Sequence, residues 1–442
     1  VDGEAPGDYR GRNPKVTLVD YITYSAGDDM NGELGMAIAA GAQVKYYLSD
    51  SANTSTAAST APPPTTTPAP DPATLTLYEQ WLLSLQPDPE PTEPVVPETT
   101  FSGIMFPNGW DPVAEKSYGP SSMGRGLTFY NASNGAGLWS TLGATGAPDS
   151  AMKYAFATEP TAVDIDGDGF TDLIYAVDVN AQIWRINVHN GANSFNELFT
   201  YGKLAELGSD SAYQRRRAYK AIDVSLISRG GENEVVLAIG TGDKMNPMSN
   251  TDQDRLFVIR DKTAYSTAPP TAVLTETDFY DATDNLIGEG SATQKVDAAD
   301  ALNAKSGWYI NLPRGQQKSI SAPLMFKGVV NFPVFRSGSA SSEPCQEFTS
   351  GTGVLYRMNI SDGTPIDDLN GDSSLNKDDR TLKLNTNSVP GDMTLHFSSE
   401  GNATLFSGIQ GIEDIPADAN PPRTDADPLQ GNSAGYWFET PR

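Results

Sequence analysis

The chain has 442 residues, enough to bury a sizeable core in two or three average domains or in one large repetitive β domain. Its 30 basic and 56 acidic side chains leave a formal charge of −26, which repels polyanions over most of the surface and excludes nucleic acid and an anionic membrane as main partners in favour of cations. One cysteine and two histidines exclude a Cys/His zinc constellation and an internal disulfide framework.

Abundant turn formers, 41 Gly and 32 Pro, and the lack of a sustained 3.6-residue apolar period outside one short segment predict a mainly β chain of many short strands. No apolar run reaches the ~18 residues of a membrane span, and the opening VDGEAPGDYRGRNPK is not a signal peptide, so the chain reads as a mature product or a fragment with no membrane insertion. Residues 1–48 hold strand-like KVTLVDYITY (Lys15 to Tyr24), then ELGMAIAAGAQVKYYL, which fits helix or strand. Residues 49–100 form a Pro/Thr-rich insertion, a linker or exposed loop of polyproline character suited to O-linked sugar. Within it TLTLYEQWLLSLQ predicts a short helix at about 76–86: Thr76 and Glu79 have capping-box spacing, Leu77, Trp81, Leu82 and Leu85 share a face, and Pro87 ends it. That helix either clips the insertion back onto the domain or binds a partner.

From Phe101 to about residue 412, strand pairs recur. GLTFYNASNGAGLWST and DLIYAVDVNAQIWRINV each give an alternating strand, a polar turn and a strand carrying Trp139 or Trp184. EVVLAIGTGDK…DRLFVIRDK and GVLYRMNISDGTPI continue the plan more loosely. Repeated antiparallel hairpins predict a β-propeller, one tryptophan per blade filling the space between sheets, with a β-sandwich as the alternative. Cys345 is a buried thiol or half of a bridge to another chain, and residues 413–442 are an acidic, Pro-rich C-terminal segment.

The sharpest signal is AVDIDGDGFTDLIYAV. Asp164, Asp166 and Asp168 fall at positions 1, 3 and 5 of a calcium loop, with Gly169 at the sharp turn, Phe170 offering its carbonyl at 7, and Asp172 at 9. Two such carboxylates ~4 Å apart repel by about 4 kcal/mol at an effective dielectric near 20, a cost that a hard dication removes. Tyr175 at position 12 and the strand-like LIYAV make this a calcium loop within a β hairpin and not an EF-hand; magnesium, which demands a tighter octahedron, fits worse. The alternative is an acidic, solvated turn. A second, weaker site is DLNGDSSLNKDD: Asp368, Asn370, Asp372, the Ser374 carbonyl, Asn376 and Asp379 take positions 1, 3, 5, 7, 9 and 12, which resembles the calcium loop of dockerins. Ser373 stands where glycine is expected and strains that turn. GDDMNGE (27–33) and DATDN (281–285) read as turns.

Taken in order, DIDGDGFTDLIYAVDVNAQIWRINV, RRRAYKAIDVSLI, VVLAIGTGDKMNP, QDRLFVIRDK, SGWYINLPRGQQKSI and CQEFTSGTGVLYRMNISDGTP resemble the C-terminal domain of the PilY family, type IV pilus-associated tip proteins of Gram-negative bacteria. The resemblance spans roughly Phe101 to Asp379. It implies a modified β-propeller with one Ca2+ held by Asp164, Asp166, Asp168, Asp172 and the Phe170 carbonyl, and an extracellular place at the pilus tip or cell surface. It further implies partnership with minor pilins and the tip complex, roles in pilus assembly and control of retraction, and a surface or host adhesion target. The chain departs from the family pattern at Ala181, where the family's turn has glycine, in the 49–100 insertion, and in lacking the family's large N-terminal module, so receptor functions of that module are not implied.

No residue set supports catalysis. A quinone-dependent dehydrogenase would need a metal-bound cofactor with an adjacent base, and His189 and His396 read as turn and strand residues and not as bases of a triad. The basic cluster QRRRAYK (214–220) reads as pairing with local acids. The expectation is a non-enzymatic calcium-binding propeller at the pilus tip; the alternative is a secreted, calcium-stabilised structural or adhesive module independent of pilus machinery.

Overall fold

The computed structural model describes residues 41–49, 100–143, 149–209, 211, 213–229, 232–249, 251–338, 351–397, 403–408, 410–415 and 434–435. Their strands fall into five sheets that follow one another along the chain. The first holds β1 (Ala42–Tyr46), β2 (Phe101–Pro107), β3 (Leu127–Asn131) and β4 (Gly137–Ser140), with helix α1 (Pro112–Ser117) between β2 and β3. The second holds β5 (Thr161–Val163), β6 (Leu173–Val177), β7 (Gln182–Val188) and β8 (Phe199–Glu206), the short α2 (Phe195–Leu198) leading into β8.

In the third sheet, β9 (Asp223–Arg229), β10 (Glu232–Gly240) and β11 (Arg255–Asp261) form a meander, extended by β13 (Gly307–Asn311) and the parallel β12 (Tyr280–Asp281). Helices α3 (Leu286–Glu289) and α4 (Ala292–Asn303) lie in the connection from β12 to β13. The fourth sheet contains β14 (Gln317–Lys318), β15 (Leu324–Phe326), β16 (Val329–Arg336), β17 (Thr352–Asn359) and β18 (Thr381–Lys383). The fifth is β19 (Met393–Phe397), β20 (Ala403–Ser407) and β21 (Gln410–Ile415), and β22 (Ala434–Gly435) pairs back onto β9.

The period-two pattern explains why the sheets stack in series. Every residue of β6 and β7 is buried, because even positions (Ile174, Ala176, Trp184, Ile186) pack against Val44, Tyr46, Met105 and Phe129 of the first sheet, while odd ones (Tyr175, Val177, Ile183) pack against Val235, Leu237 and Phe257 of the third. The third sheet repeats the device: Val236, Ala238, Leu256 and Val258 turn to Val330, Phe332, Val354 and Met358 of the fourth, whose Leu355 meets Met393 and Leu405 of the fifth. The first strands of the first three sheets touch in succession, β1 against β5 and β5 against β9, and β9 in turn touches β15 of the fourth sheet. The mainly β expectation holds.

Several details differ from the sequence expectation. The alanine-rich stretch, open between helix and strand, ends as β1, which pairs with β2 so that the 49–100 insertion interrupts a hairpin. Among the described residues the tryptophans are not one per gap: Trp139 and Trp184 share the space between the first two sheets, Trp308 fills that between the third and fourth, and Phe257, Phe279 and Tyr309 serve between the second and third. GVLYRMNISDGTPI is not itself a hairpin; it is β17 plus a turn, and β18 returns beside β17 only after the second aspartate loop. Strand β21 carries sheet structure to Ile415, past the expected boundary at 412. Pro333 is accommodated in the middle of β16 because β15 pairs with residues 329–331 and β14 with 335–336, leaving a gap where no ladder bond is lost. Ala181 sits at φ 55 in the β6–β7 turn, the left-handed conformation a glycine would take without strain. The strand at Lys15 to Tyr24, the helix at 76–86, Cys345, GDDMNGE and most of the 413–442 segment lie outside the described residues.

Candidate metal centre

The loop between β5 and β6 is wound by its own aspartates. Asp164 accepts the amides of Gly167 at 2.7 Å and Gly169 at 2.8 Å; Asp166 accepts that of Asp168 at 3.1 Å, and Asp168 that of Phe170 at 2.8 Å. Gly167 and Gly169 take φ of 81 and 87, as the tight winding requires. Asp172 enters the sheet, its amide donating to Val163 O and its carbonyl accepting from Val188 N, so the ladder fixes its carboxylate, which reaches back to accept Ile165 N at 2.8 Å. Phe170 plugs the loop into the core, its ring edge-on to Tyr47 at 4.9 Å, and Thr171 exchanges bonds with the Lys45 backbone.

This winding brings the carboxylates of Asp164, Asp166 and Asp172 within 4.8 Å of one another. Asp168 is not in that group and instead caps Phe170. None of the four pairs with a lysine or arginine among the described residues. Burial, then the neighbouring Asp166, Asp164 and Asp168, push the Asp172 carboxyl up to about 6, and burial with Asp166 and Asp164 raises Asp168. A cluster of hard oxygen donors with surplus negative charge fits a hard divalent cation, which would convert that repulsion into attraction.

The second loop repeats the winding. Asp368 accepts Gly371 N at 2.7 Å and Ser373 N at 2.8 Å, Asn370 accepts Asp372 N at 2.9 Å, and Asp372 accepts Ser374 N at 2.8 Å. Asp368, Asp372 and Asp379 form the gathered group, again within 4.8 Å. Asn370 and the Ser374 hydroxyl are occupied inside the loop, and Asn376 caps a 3-10 turn (Lys377–Arg380) whose Asp379 reciprocates to Asn376 N. Ser373 holds φ 66, the strain expected of a non-glycine there. Hydrogen bonds from the Ser374 hydroxyl and amide hold the Asp372 carboxyl below its ordinary value.

Sequence reasoning missed how the second loop is held. Arg380, 2% exposed, donates to the carbonyls of Thr283 and Ala282 and to Asn285 Oδ1, so the DATDN turn is its anchor. Glu289 accepts both Lys377 N and Asn285 Nδ2. Elsewhere Arg216 meets Glu276, Arg217 meets Glu115 and Lys220 meets Asp392, while Arg215 lies over the Tyr118 ring. His189 Nε2 bonds Thr200 Oγ1 at 2.7 Å, and His396 is exposed on β19.

No family model matches the chain, and no curated protein matches it. Among solved structures the chain is similar to the crystal structure of the Pseudomonas aeruginosa PilY1 C-terminal domain, with 16% sequence identity, 71% of this chain and 69% of that one covered, and a TM-score of 0.45.

Proposed function

We propose that the chain is a calcium-binding, modified β-propeller of a type IV pilus tip protein, a non-enzymatic module acting at the cell surface with minor pilins in pilus assembly, control of retraction and adhesion. The observation that carries calcium is the convergence of Asp164, Asp166 and Asp172 with no basic side chain paired to them among the described residues. The propeller reading is supported by sheets that stack in chain order on period-two faces, the first strands of the first three in contact. The pilus reading is supported by the ordered set of segments from Asp164 to Pro365.

Asp164, Asp166 and Asp172, with Asp168 and the Phe170 carbonyl, would hold the ion in the first loop, and Asp368, Asp372 and Asp379 in the second. Bound calcium would offset the carboxylate repulsion and tie β5 to β6. Extracellular sites of this kind bind at ~10⁻⁴ to 10⁻³ M, and 100-fold saturation stabilises the folded state by about 2.7 kcal/mol. Calorimetric titration tests the ion: Asp172→Ala should weaken binding and lower the melting temperature in calcium buffer with little change in calcium-free buffer. Equal destabilisation in both would refute the metal role. Co-purification with minor pilins from the source cell tests the pilus role, and loss of that association with calcium binding intact would favour the pilus-independent module.

A further inference from the structure

A basic, methionine-rich face lies around α1. Its first link is Asp111, which accepts the amides of Val113 at 3.0 Å and Met123 at 3.3 Å and so holds those two residues side by side. Tyr118 closes α1 and donates to Asp243 at 2.7 Å, and the same carboxylate accepts Met245 N at 2.9 Å. Arg215 lies over the Tyr118 ring at 5.2 Å; two residues back, Tyr213 carries Arg314 on its own ring at 4.1 Å; and Arg314 donates to Thr251 O, three positions along the same loop from Met248. Residues from the first, third and fourth sheet regions thus meet on one surface. Val113, Met123, Tyr213, Met245 and Met248 are 44–71% exposed there.

The charges on this surface are sorted by depth. Asp111, Glu115, Asp243 and Asp252 are buried beneath it, bonded to amides, hydroxyls and Arg217. Lys116, Lys153, Lys244 and Arg314 stand exposed with Arg215 half-buried, and none forms an ion pair among the described residues. On a chain of charge −26, a cationic surface studded with flexible thioethers is an exception.

We propose that this face docks an acidic amphipathic segment of a partner protein, its apolar side on the methionines and Val113 and its carboxylates on Lys244, Arg215 and Arg314. Charge complementarity selects that occupant. An extended anionic membrane would meet the repulsion of the whole chain, whereas a short acidic segment senses mainly charges within about 8 Å at physiological salt. The proposal does not depend on calcium or on the pilus reading.

The test follows the methionine methyl resonances of the full chain by NMR while a synthetic amphipathic helix of Glu and Leu is added. Met123, Met245 and Met248 should shift saturably while the buried Met105, Met152 and Met358 stay in place. The Lys244→Glu/Arg314→Glu double variant, which leaves every methionine present, should weaken binding roughly tenfold. Its calcium titration should match that of the parent. The proposal fails if no saturable shift occurs, if a Lys/Leu helix binds as well, or if phosphatidylglycerol vesicles produce the shifts instead. It also fails if deleting residues 50–99 moves the three resonances before any peptide is added, since the face would then be covered from within the chain.

Discussion

In both aspartate loops the leading carboxylate, Asp164 or Asp368, accepts the amides three and five residues on, and the next polar residues cap the amides two ahead of themselves. The closing acids are held differently. Asp172 belongs to the ladder of the second sheet and faces three more aspartates, whereas Asp379 sits in the capping box of a 3-10 turn next to the buried Arg380. Asparagines at 370 and 376 also replace two of the charges. Local side chain to backbone bonding therefore suffices to wind such a loop, while its need for a cation depends on what the tertiary structure sets around it. The first loop carries the larger surplus of charge, and the second is tied down through Arg380 and Glu289.

The largest way to break this contrast is Arg380→Ala. It orphans the buried Ala282 carbonyl and the half-buried Thr283 carbonyl and should destabilise the protein by about 3 kcal/mol in urea unfolding, with or without calcium. A loss below about 1 kcal/mol would mean that Arg380 does not anchor the second loop. Next come Asp164→Ala and Asp368→Ala, which remove matching bonds and should each cost roughly 2 kcal/mol in calcium-free buffer. Adding calcium should widen the Asp164 deficit more than the Asp368 one, and equal widening would erase the distinction.

Smaller still is the strain at the sixth position. Ser373→Gly should stabilise by about 1 kcal/mol, and Gly169→Ser should cost about the same, because a Cβ at Gly169 meets nothing within 4 Å and only the backbone conformation resists it. Thermal melts in calcium-free buffer would show this, and no change on Ser373→Gly would mean that the serine is unstrained.

The smallest effect is on pH dependence, and its sign differs between the loops. Asp172, raised to about 6, favours its protonated form in the fold, so its stabilisation is present below the ordinary carboxylate range near 4 and is lost as pH rises through about 6. Asp372, held low, contributes above that range and loses its contribution as pH falls through it. In calcium-free melts Asp172→Asn should flatten the decline toward neutral pH, and Asp372→Asn should lessen the acid-side loss. The reverse pattern would contradict both assignments.

Much of this was legible in the chain. The alternation in LIYAV and QIWRINV marks a hairpin, but the burial of Gln182, Arg185 and Asn187 along with the apolar residues of β7 was not legible, since Arg185 is satisfied by Asp261, 76 residues away. The aspartate spacing located both loops and even the strained serine, since Asx bonding and left-handed turns act over two to five residues. The group gathered at the first loop was less legible: spacing names Asp168 with the others, but its carboxylate turns back to cap Phe170. The second loop's anchor was not legible either, because Arg380 bonds a turn 95 to 98 residues away.

By itself the sequence determined what depends on near neighbours: strand-forming periodicity, the winding of the two loops and the concentration of negative charge in the first. Only the tertiary structure decided which sheets face each other, that β1 joins β2 across an insertion, and which groups anchor each loop. It also buried the acids beneath α1 and left the cations on the surface. The physical reason is reach: hydrogen bonds within a turn are set by a few dihedral angles, whereas burial, ion pairing and the desolvation that shifts a carboxyl depend on residues a hundred positions away.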